Sequence, residues 1–179
     1  MNLSVVKEAD VSSGLDRRIK ETLCRCFPKE AATFSMSRGW HGSMPAWSVV
    51  AEVGGQVIAH VGIVDRVIRA GQQPLRVAGV QNVCVLPECR GQGISAEIMA
   101  AAMDEAERMA FDAGLLYCLP VLERLYKGCG WLQLPKVKIV RIDESGAEKA
   151  IPSKNIAMFF PLRTQAFPPG VIHLQGNDW

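Results

Sequence analysis

The chain has 179 residues, a formal net charge of +2 at pH 7 and a pI near 8.2. This length suits one domain with a sizeable core, and the mild charge argues against a nucleic-acid or membrane-surface partner. The first ten residues lack the apolar stretch of a signal peptide, and no apolar run approaches the length of a membrane span. We therefore expect a single domain over residues 1–179 in the cytoplasm.

The six cysteines show no spacing typical of a zinc site, so we predict no metal centre. Without a secretory signal, reduced and mostly buried thiols are expected. The cysteines are Cys24, Cys26, Cys84, Cys89, Cys118 and Cys129.

The first part of the chain reads as a strand at Leu3–Val6 and an amphipathic helix over Ser12–Cys26, which Pro28 ends. The pattern then dissolves over Lys29–Trp47, a segment rich in aromatic residues and methionine. Two interpretations of this segment stay open. It is either a binding loop, or a short irregular helix whose aromatic side chains cover the edge of the core.

Most of the remaining chain reads as strands with apolar faces. A hairpin turn at Gly54-Gly55 joins the first two of them, and a polar, exposed hairpin loop is expected at Asp143–Lys154. A short helix is expected at Val121–Lys127, before Gly128. Together these elements predict a mixed α/β domain around one central sheet. The predicted strands are Ser48–Val53, Gln56–Ile68, Leu75–Leu86, Leu115–Leu119, Lys136–Ile142 and Asn155–Leu162.

The stretch Val80–Ser95 is the most informative part of the sequence. It reads as an apolar strand, a proline turn, two glycines one residue apart, and then a helix from about Ser95 to Asp112. Unpaired amides and the dipole at such a helix start favour an anion, so the loop predicts a phosphate site. It lacks the lysine of a P-loop and the third glycine of a dinucleotide fold.

The segment Val85–Ser95 resembles the acetyl-CoA-binding motif of the GNAT (Gcn5-related) N-acetyltransferase superfamily. The family signature is Gln/Arg-x-x-Gly-x-Gly/Ala, and Arg90, Gly93 and Ser95 stand at its fixed positions. The segment Leu125–Trp131 is similar to the family's Phe/Tyr-Tyr-x-x-x-Gly-Phe segment. The resemblance implies the GNAT fold, an α/β (α+β) domain whose mixed, mostly antiparallel central sheet is flanked by helices on both faces.

The same resemblance implies where acetyl-CoA binds, as a co-substrate and without a metal. The pantetheine arm is expected along the strand before the loop, close to backbone N–H groups that stabilise the tetrahedral oxyanion. The pyrophosphate is expected on the backbone amides of the loop, which its glycines let approach closely. The residues implied are Val83, Cys84, Val85, Arg90, Gly91, Gln92, Gly93, Ile94 and Ser95.

The catalytic residues predicted from the resemblance are Tyr126 and Gln81. Tyr126 matches the residue that protonates the departing CoA thiolate in many members. The chain further resembles the aminoglycoside 2′-N-acetyltransferases and the nodulation N-acyltransferases, which keep an acid where Gln81 stands. Gln81 can orient an amine but cannot accept its proton at neutral pH. Asn177 replaces a second acid, which argues against a polycationic acceptor.

The acceptor is predicted to contact Gln81, Asn82, Trp40, His41 and Trp179. Two histidines are candidate general bases: His60 is expected to be a core residue, and His41 is the better titratable candidate.

We therefore expect an acetyl-CoA-dependent transferase acting on a primary amine of a small molecule. The alternatives are a transferase of longer acyl chains and a CoA-binding module without turnover, the latter because of Gln81. Family members often dimerise, so a homodimer is an open alternative to a monomer.

Overall fold

The computed structural model describes residues 1–152 and 154–179. In these residues the helices are α1 (Ser13–Cys26), α2 (Ala31–Met36), α3 (Ile94–Arg108) and α4 (Glu123–Gly128). The strands are β1 (Asn2–Lys7), β2 (Trp47–Val53), β3 (Gln56–Ala70), β4 (Gln73–Val85), β5 (Ala113–Cys118), β6 (Leu132–Gln133), β7 (Ile139–Ile142), β8 (Glu148–Ala150), β9 (Ile156–Pro161) and β10 (Ile172–His173).

The described strands form one mixed sheet, as the sequence predicts. Its main path runs β6-β9-β5-β4-β3-β10-β7-β8, and β2 joins β1 to β3. The pairs β4/β5 and β7/β10 are parallel, and the other pairs are antiparallel. No helix within residues 1–152 or 154–179 is long and apolar enough to cross a membrane.

Helices cover both faces of the sheet because neighbouring strand residues point to opposite sides. Val49 and Ala51 of β2 pack in the core cluster that contains α3. Val50, between them, packs with Ile19 and Leu23 of α1. The predicted covering of both faces is therefore confirmed.

The cleft of the molecule arises where β4 and β5 separate. These strands pair only between Val77–Gly79 and Ala113–Leu115, although both continue further. Just beyond, β4 has one extra residue, since its partners on β3 shift register and Asn82 takes a φ of +53°. Such a bulge bends a strand and redirects its backbone groups. The bend and the separation together open the sheet in its middle.

The segment Lys29–Trp47 contains the short helix of one interpretation, while the binding loop of the other stays a prediction. Its first part is the short helix α2, which buries Phe34 against the core cluster of α1. The rest is irregular, with an isolated bridge between Trp40 and Ser43.

Several predicted boundaries differ from the structure. The helix after the glycine loop begins at Ile94 and ends at Arg108, because Ala110 adopts a φ of +59° that a helix cannot continue. The expected exposed loop at residues 143–154 contains β8, which pairs with β7. The tail contains β10, a strand between β3 and β7 that has too few residues to show a periodicity. The single-domain organisation stays a prediction.

Candidate functional site

The glycine loop presents backbone amides at the start of α3. Gly91 and Gly93 have φ values of +78° and +80°, a region that residues with a Cβ rarely adopt, and Gly93 is the N-cap. Within the described chain, the amides of Gly91, Gln92 and Gly93 donate to no backbone acceptor. Together with the helix dipole, these amides can bind a diphosphate.

A cavity of about 460 Å³ lies beside this loop. Of the nine residues predicted for acetyl-CoA, all except Gln92 line it, and Gln92 is exposed. Arg90 donates from Nε to the carbonyl of Val85 at 3.1 Å, which holds its charge at the end of β4. The lining residues are Cys26, Phe27, Val83, Cys84, Val85, Cys89, Arg90, Gly91, Gly93, Ile94, Ser95, Leu122, Leu125 and Tyr126. We call this the loop cavity.

A second cavity of about 350 Å³ fills the cleft between β4 and β5. Of the predicted acceptor residues, Trp40, Gln81, Asn82 and Trp179 line it. The lining residues are Phe27, Glu30, Phe34, Trp40, Val80, Gln81, Asn82, Val83, Leu116, Tyr117, Cys118, Leu119, Leu122, Tyr126, Ile151, Asn155, Asp178 and Trp179. We call this the cleft cavity.

His41 does not line the cleft cavity, but Asp178, which its ring contacts, does. Its Nδ1 lies 2.7 Å from Oδ1 of Asp178, which Arg141 also contacts at 2.8 Å. Asp178 is therefore the charged group of this cluster that faces the cleft cavity, between two basic partners.

The two cavities meet at Tyr126. Phe27, Val83, Leu122 and Tyr126 line both of them. The Tyr126 side chain is 7% exposed and packs against Trp131, with ring centroids 6.4 Å apart. Burial raises the pKa of its phenol, and the thiols of Cys118 and Cys129 add to the rise. The phenol is therefore protonated at neutral pH. Val83, in the bulged part of β4, lines both cavities together with Tyr126.

Gln81 holds the segment that borders the cleft cavity. The side chain is 4% exposed, accepts from the Trp40 amide at 2.9 Å and donates to the Ser43 carbonyl at 2.7 Å. Next to it, Asn82 donates to the Arg38 carbonyl at 2.8 Å. Both amides are thus engaged with the 38–43 segment. Their catalytic or acceptor-binding roles stay predictions.

Replacing Gln81 with Glu should lower the free energy of unfolding by about 1–3 kcal/mol at pH 7.5. A carboxylate can still accept from the Trp40 amide, but it repels the Ser43 carbonyl that the glutamine amide contacts. Urea denaturation measures the change. Gln72→Glu, an exposed position in the turn after β3, serves as the control and should stay within about 0.5 kcal/mol of the parent. Equal stability of the two variants would contradict this role of Gln81.

His60 is a core residue, as its position in a strand predicts. It is fully buried, with its ring nitrogens 3.1 Å from the Ser48 hydroxyl and 3.2 Å from the Asn82 carbonyl. Burial lowers the pKa of His60 from 6.5 to about 4. The ring is therefore neutral near pH 7 and supports the bulge at Asn82.

This burial predicts a pH dependence of stability. The folded pKa lies below the unfolded value, so the unfolded chain binds more protons between pH 6.5 and about 4. The His60 contribution is complete above pH 6.5 and is lost as the pH falls towards 4, by at most about 3 kcal/mol. Urea unfolding across this range should show a steeper decline for the parent than for His60→Gln. A His60→Gln profile parallel to that of the parent would overturn the assignment.

The C-terminal residue Trp179 lines the cleft cavity and packs on Gly79 of β4. A Cβ added at Gly79 would lie 2.4 Å from Cε2 of Trp179, so only glycine admits the indole over β4. The Arg66 guanidinium lies over the Trp179 ring, 5.1 Å from its centroid. Trp179 is 6% exposed and thus lines the cleft cavity as a packed side chain.

Sequence reasoning missed several residues that line the cavities. Cys89 lies within the loop motif but at none of its fixed positions, and the others lie outside the two family motifs, on elements distant along the chain. In the part of the chain that the structure describes, no group of three or more His, Cys, Asp or Glu could hold a metal ion. The missed residues include Cys26, Phe27, Glu30, Phe34, Cys89, Leu122 and Asn155.

Comparison with solved structures shows which proteins share this fold. The GNAT family N-acetyltransferase YhbS from Escherichia coli, solved in complex with CoA, is 17% identical, with 97% of this chain and 89% of that chain covered and a TM-score of 0.67. An acyl-CoA N-acyltransferase from Pseudomonas aeruginosa is 18% identical, with 89% and 98% covered and a TM-score of 0.62. The ribosomal-protein-S18-alanine N-acetyltransferase from Escherichia coli is 16% identical, with 92% and 96% covered and a TM-score of 0.59.

These identities are low, so the likenesses show the fold alone, and they confirm the predicted GNAT fold. No protein with a curated description matches the sequence. The family model described as an acetyltransferase (GNAT) domain matches residues 12–133, which is more than half of the chain. The chain therefore belongs to the GNAT acetyltransferase family.

Proposed function

We propose that this protein transfers an acetyl group from acetyl-CoA directly to a primary amine of a small molecule. The observation that carries the proposal is the shared lining of the two cavities, at Val83 and Tyr126. A donor in the loop cavity and an acceptor in the cleft cavity would meet there without a covalent enzyme intermediate. Holding two substrates next to each other in this way accounts for much of the rate acceleration of a two-substrate reaction.

The donor half of the proposal rests on the loop amides. The diphosphate of CoA would accept from the amides of Gly91, Gln92 and Gly93, with Arg90 adding positive charge. Hydrogen bonds to charged groups contribute about 1.5–3 kcal/mol each. YhbS, which has a similar fold, was solved in complex with CoA, and this supports the same class of ligand here.

Two groups at the junction would act on the reacting atoms. Backbone N–H groups of the bulged β4 segment near Val83 would stabilise the oxyanion of the tetrahedral intermediate. Tyr126 would donate its proton to the departing thiolate. The burial that raises the pKa of this phenol would also raise the pKa of a thiol bound beside it.

The acceptor half rests on the chemistry of the cleft cavity. Its charged residues within the described chain are the acids Glu30 and Asp178, and aromatic residues such as Trp40 and Phe34 also line it. Such a site attracts an ammonium group, by charge and by contact with aromatic faces. A volume of about 350 Å³ suits a small molecule.

The experiment is calorimetry with acetyl-CoA, followed by a thiol-release screen over small-molecule amines and a peptide with a free N-terminus. Binding together with turnover on a small amine is expected. Binding without turnover would favour a CoA-binding module, and faster turnover with a longer acyl-CoA would favour that class of donor. Turnover on the peptide alone would contradict the small-molecule acceptor, and no binding would overturn the proposal. Cytoplasmic location, a homodimer and the absence of nucleic-acid partners stay predictions.

A further inference from the structure

Three cysteine thiols belong to the lining of the loop cavity: Cys26, Cys84 and Cys89. Cys26 is the last residue of α1, and Cys84 lies in β4, so the two are far apart along the chain. Their side chains belong to one packed cluster, in which Cys84 is buried and Cys26 packs against the edge. Cys84 is 5% exposed and Cys26 is half-buried. Both thiols are free.

The surroundings favour the thiolate at Cys26 over Cys84. Interaction with the Cys84 side chain lowers the pKa of Cys26 to about 7, and the charges of Arg90 and Arg25 act in the same direction. Interaction with Cys26, together with burial, raises the pKa of Cys84. A reactive thiol near a second thiol is the arrangement in which an oxidised cysteine can go on to form a disulfide.

We propose that Cys26 and Cys84 form an oxidation site, which a hydroperoxide converts into a reversible disulfide that closes the loop cavity to acyl-CoA. The geometry that carries this proposal is the placement of two thiols from opposing elements in one packed cluster and in the lining of one cavity. The closing of the cavity to acyl-CoA rests on the proposed function. The formation of the disulfide does not.

The chemistry balances with hydrogen peroxide as the oxidant. The Cys26 thiolate attacks one peroxide oxygen, the O–O bond breaks, and a sulfenic acid forms while the released hydroxide takes a proton to become water. The Cys84 sulfur then attacks the Cys26 sulfur, the S–S bond forms, and the sulfenic oxygen leaves as water with the Cys84 proton. The two thiols lose two electrons and two protons, and one peroxide becomes two waters.

A disulfide here would change the shape of the loop cavity. An S–S bond of about 2.05 Å is much shorter than a thiol–thiol contact, so α1 and β4 must approach each other at the cavity. The cavity narrows where Val83 and Val85 of β4 also line it. A ligand that fills the cavity should conversely keep α1 and β4 apart and slow the oxidation.

The test uses the full reduced chain, hydrogen peroxide, and peptide mapping by mass spectrometry without reductant. The expected result is a loss of about 2 Da, a Cys26–Cys84 linked peptide, and recovery with dithiothreitol. Cys26→Ser should abolish the link. Cys24→Ser is the matched control, since this thiol donates to the Ala31 carbonyl at 3.4 Å outside the loop cavity, and it should form the link normally.

Calorimetry on the oxidised and reduced protein tests whether the disulfide closes the loop cavity to acyl-CoA. Acetyl-CoA affinity should fall at least about tenfold on oxidation and return on reduction. A Cys26–Cys89 link, or no link, would overturn the site, and a correct link with unchanged affinity would overturn the closure. Absence of acetyl-CoA binding by the reduced protein would refute the closure together with the proposed function. The mapping result still decides the disulfide in that case.

Discussion

Replacing Tyr126 with Phe is expected to lower kcat by about 10²–10⁴-fold while the fold and the acetyl-CoA affinity stay as in the parent. The change removes only the hydroxyl, so the ring still packs against Trp131 and still lines both cavities. The departing thiolate would then leave without a proton donor. The measurement is thiol release at saturating substrate, with calorimetry for donor affinity and urea denaturation for stability.

The chain offers a matched control in Tyr117, its second tyrosine. Tyr117 lines the cleft cavity but not the loop cavity. Tyr117→Phe therefore also removes a phenolic hydroxyl, but at a residue that does not lie where the two cavities meet. Its kcat should fall less than about tenfold, with any effect mainly in the KM of the amine. Unchanged turnover of Tyr126→Phe, or equal losses in the two variants, would contradict the role of Tyr126 as the proton donor.

Gly93→Glu is expected to weaken acetyl-CoA binding by at least about 100-fold, which corresponds to about 2.7 kcal/mol. Gly93 has a φ of +80° at the N-cap of α3, where a side chain strains the loop that presents the amides. The new carboxylate would also repel a diphosphate on those amides, within a distance at which screening is weak. Calorimetry with acetyl-CoA and with free CoA measures the loss.

Gly146→Glu is the control for strain and charge together. Gly146 has a φ of +81° in the turn between β7 and β8, and, as at Gly93, an added Cβ meets nothing within 4 Å. The control should cost some stability and leave the affinity unchanged. Gly93→Ala separates the two causes, since it keeps the strain without the charge, and should bind with intermediate affinity. Retained affinity in Gly93→Glu would place the phosphate site elsewhere.

The glycine loop and the helix after it were predictable because their signals are local. Two glycines with positive φ, a helix start and an apolar stripe are properties of some twenty consecutive residues, whatever surrounds them. The position of Tyr126 followed from a second local motif. His60 was assigned to the core from its strand alone, and its burial confirms this.

Other features could not be predicted, because they depend on which elements become neighbours. Gln81 is a glutamine in a strand by sequence, and only the fold shows that its amide holds the backbone of Trp40 and Ser43. Cys26 and Cys84 belong to different sequence patterns, and only the tertiary packing brings both side chains to the loop cavity. The strand β10 has two residues and forms because β3 and β7 leave a place between them.

The sequence by itself determined the family and the glycine loop at Arg90–Ser95, and it predicted phosphate binding at that loop and a proton donor at Tyr126. These depend on backbone conformation and side-chain chemistry within short segments. The tertiary structure alone decided that β4 bulges at Asn82, that β4 and β5 separate after Gly79, and that two cavities meet at Tyr126. The physical reason is that strand register and separation are set by long-range packing, which no local pattern encodes.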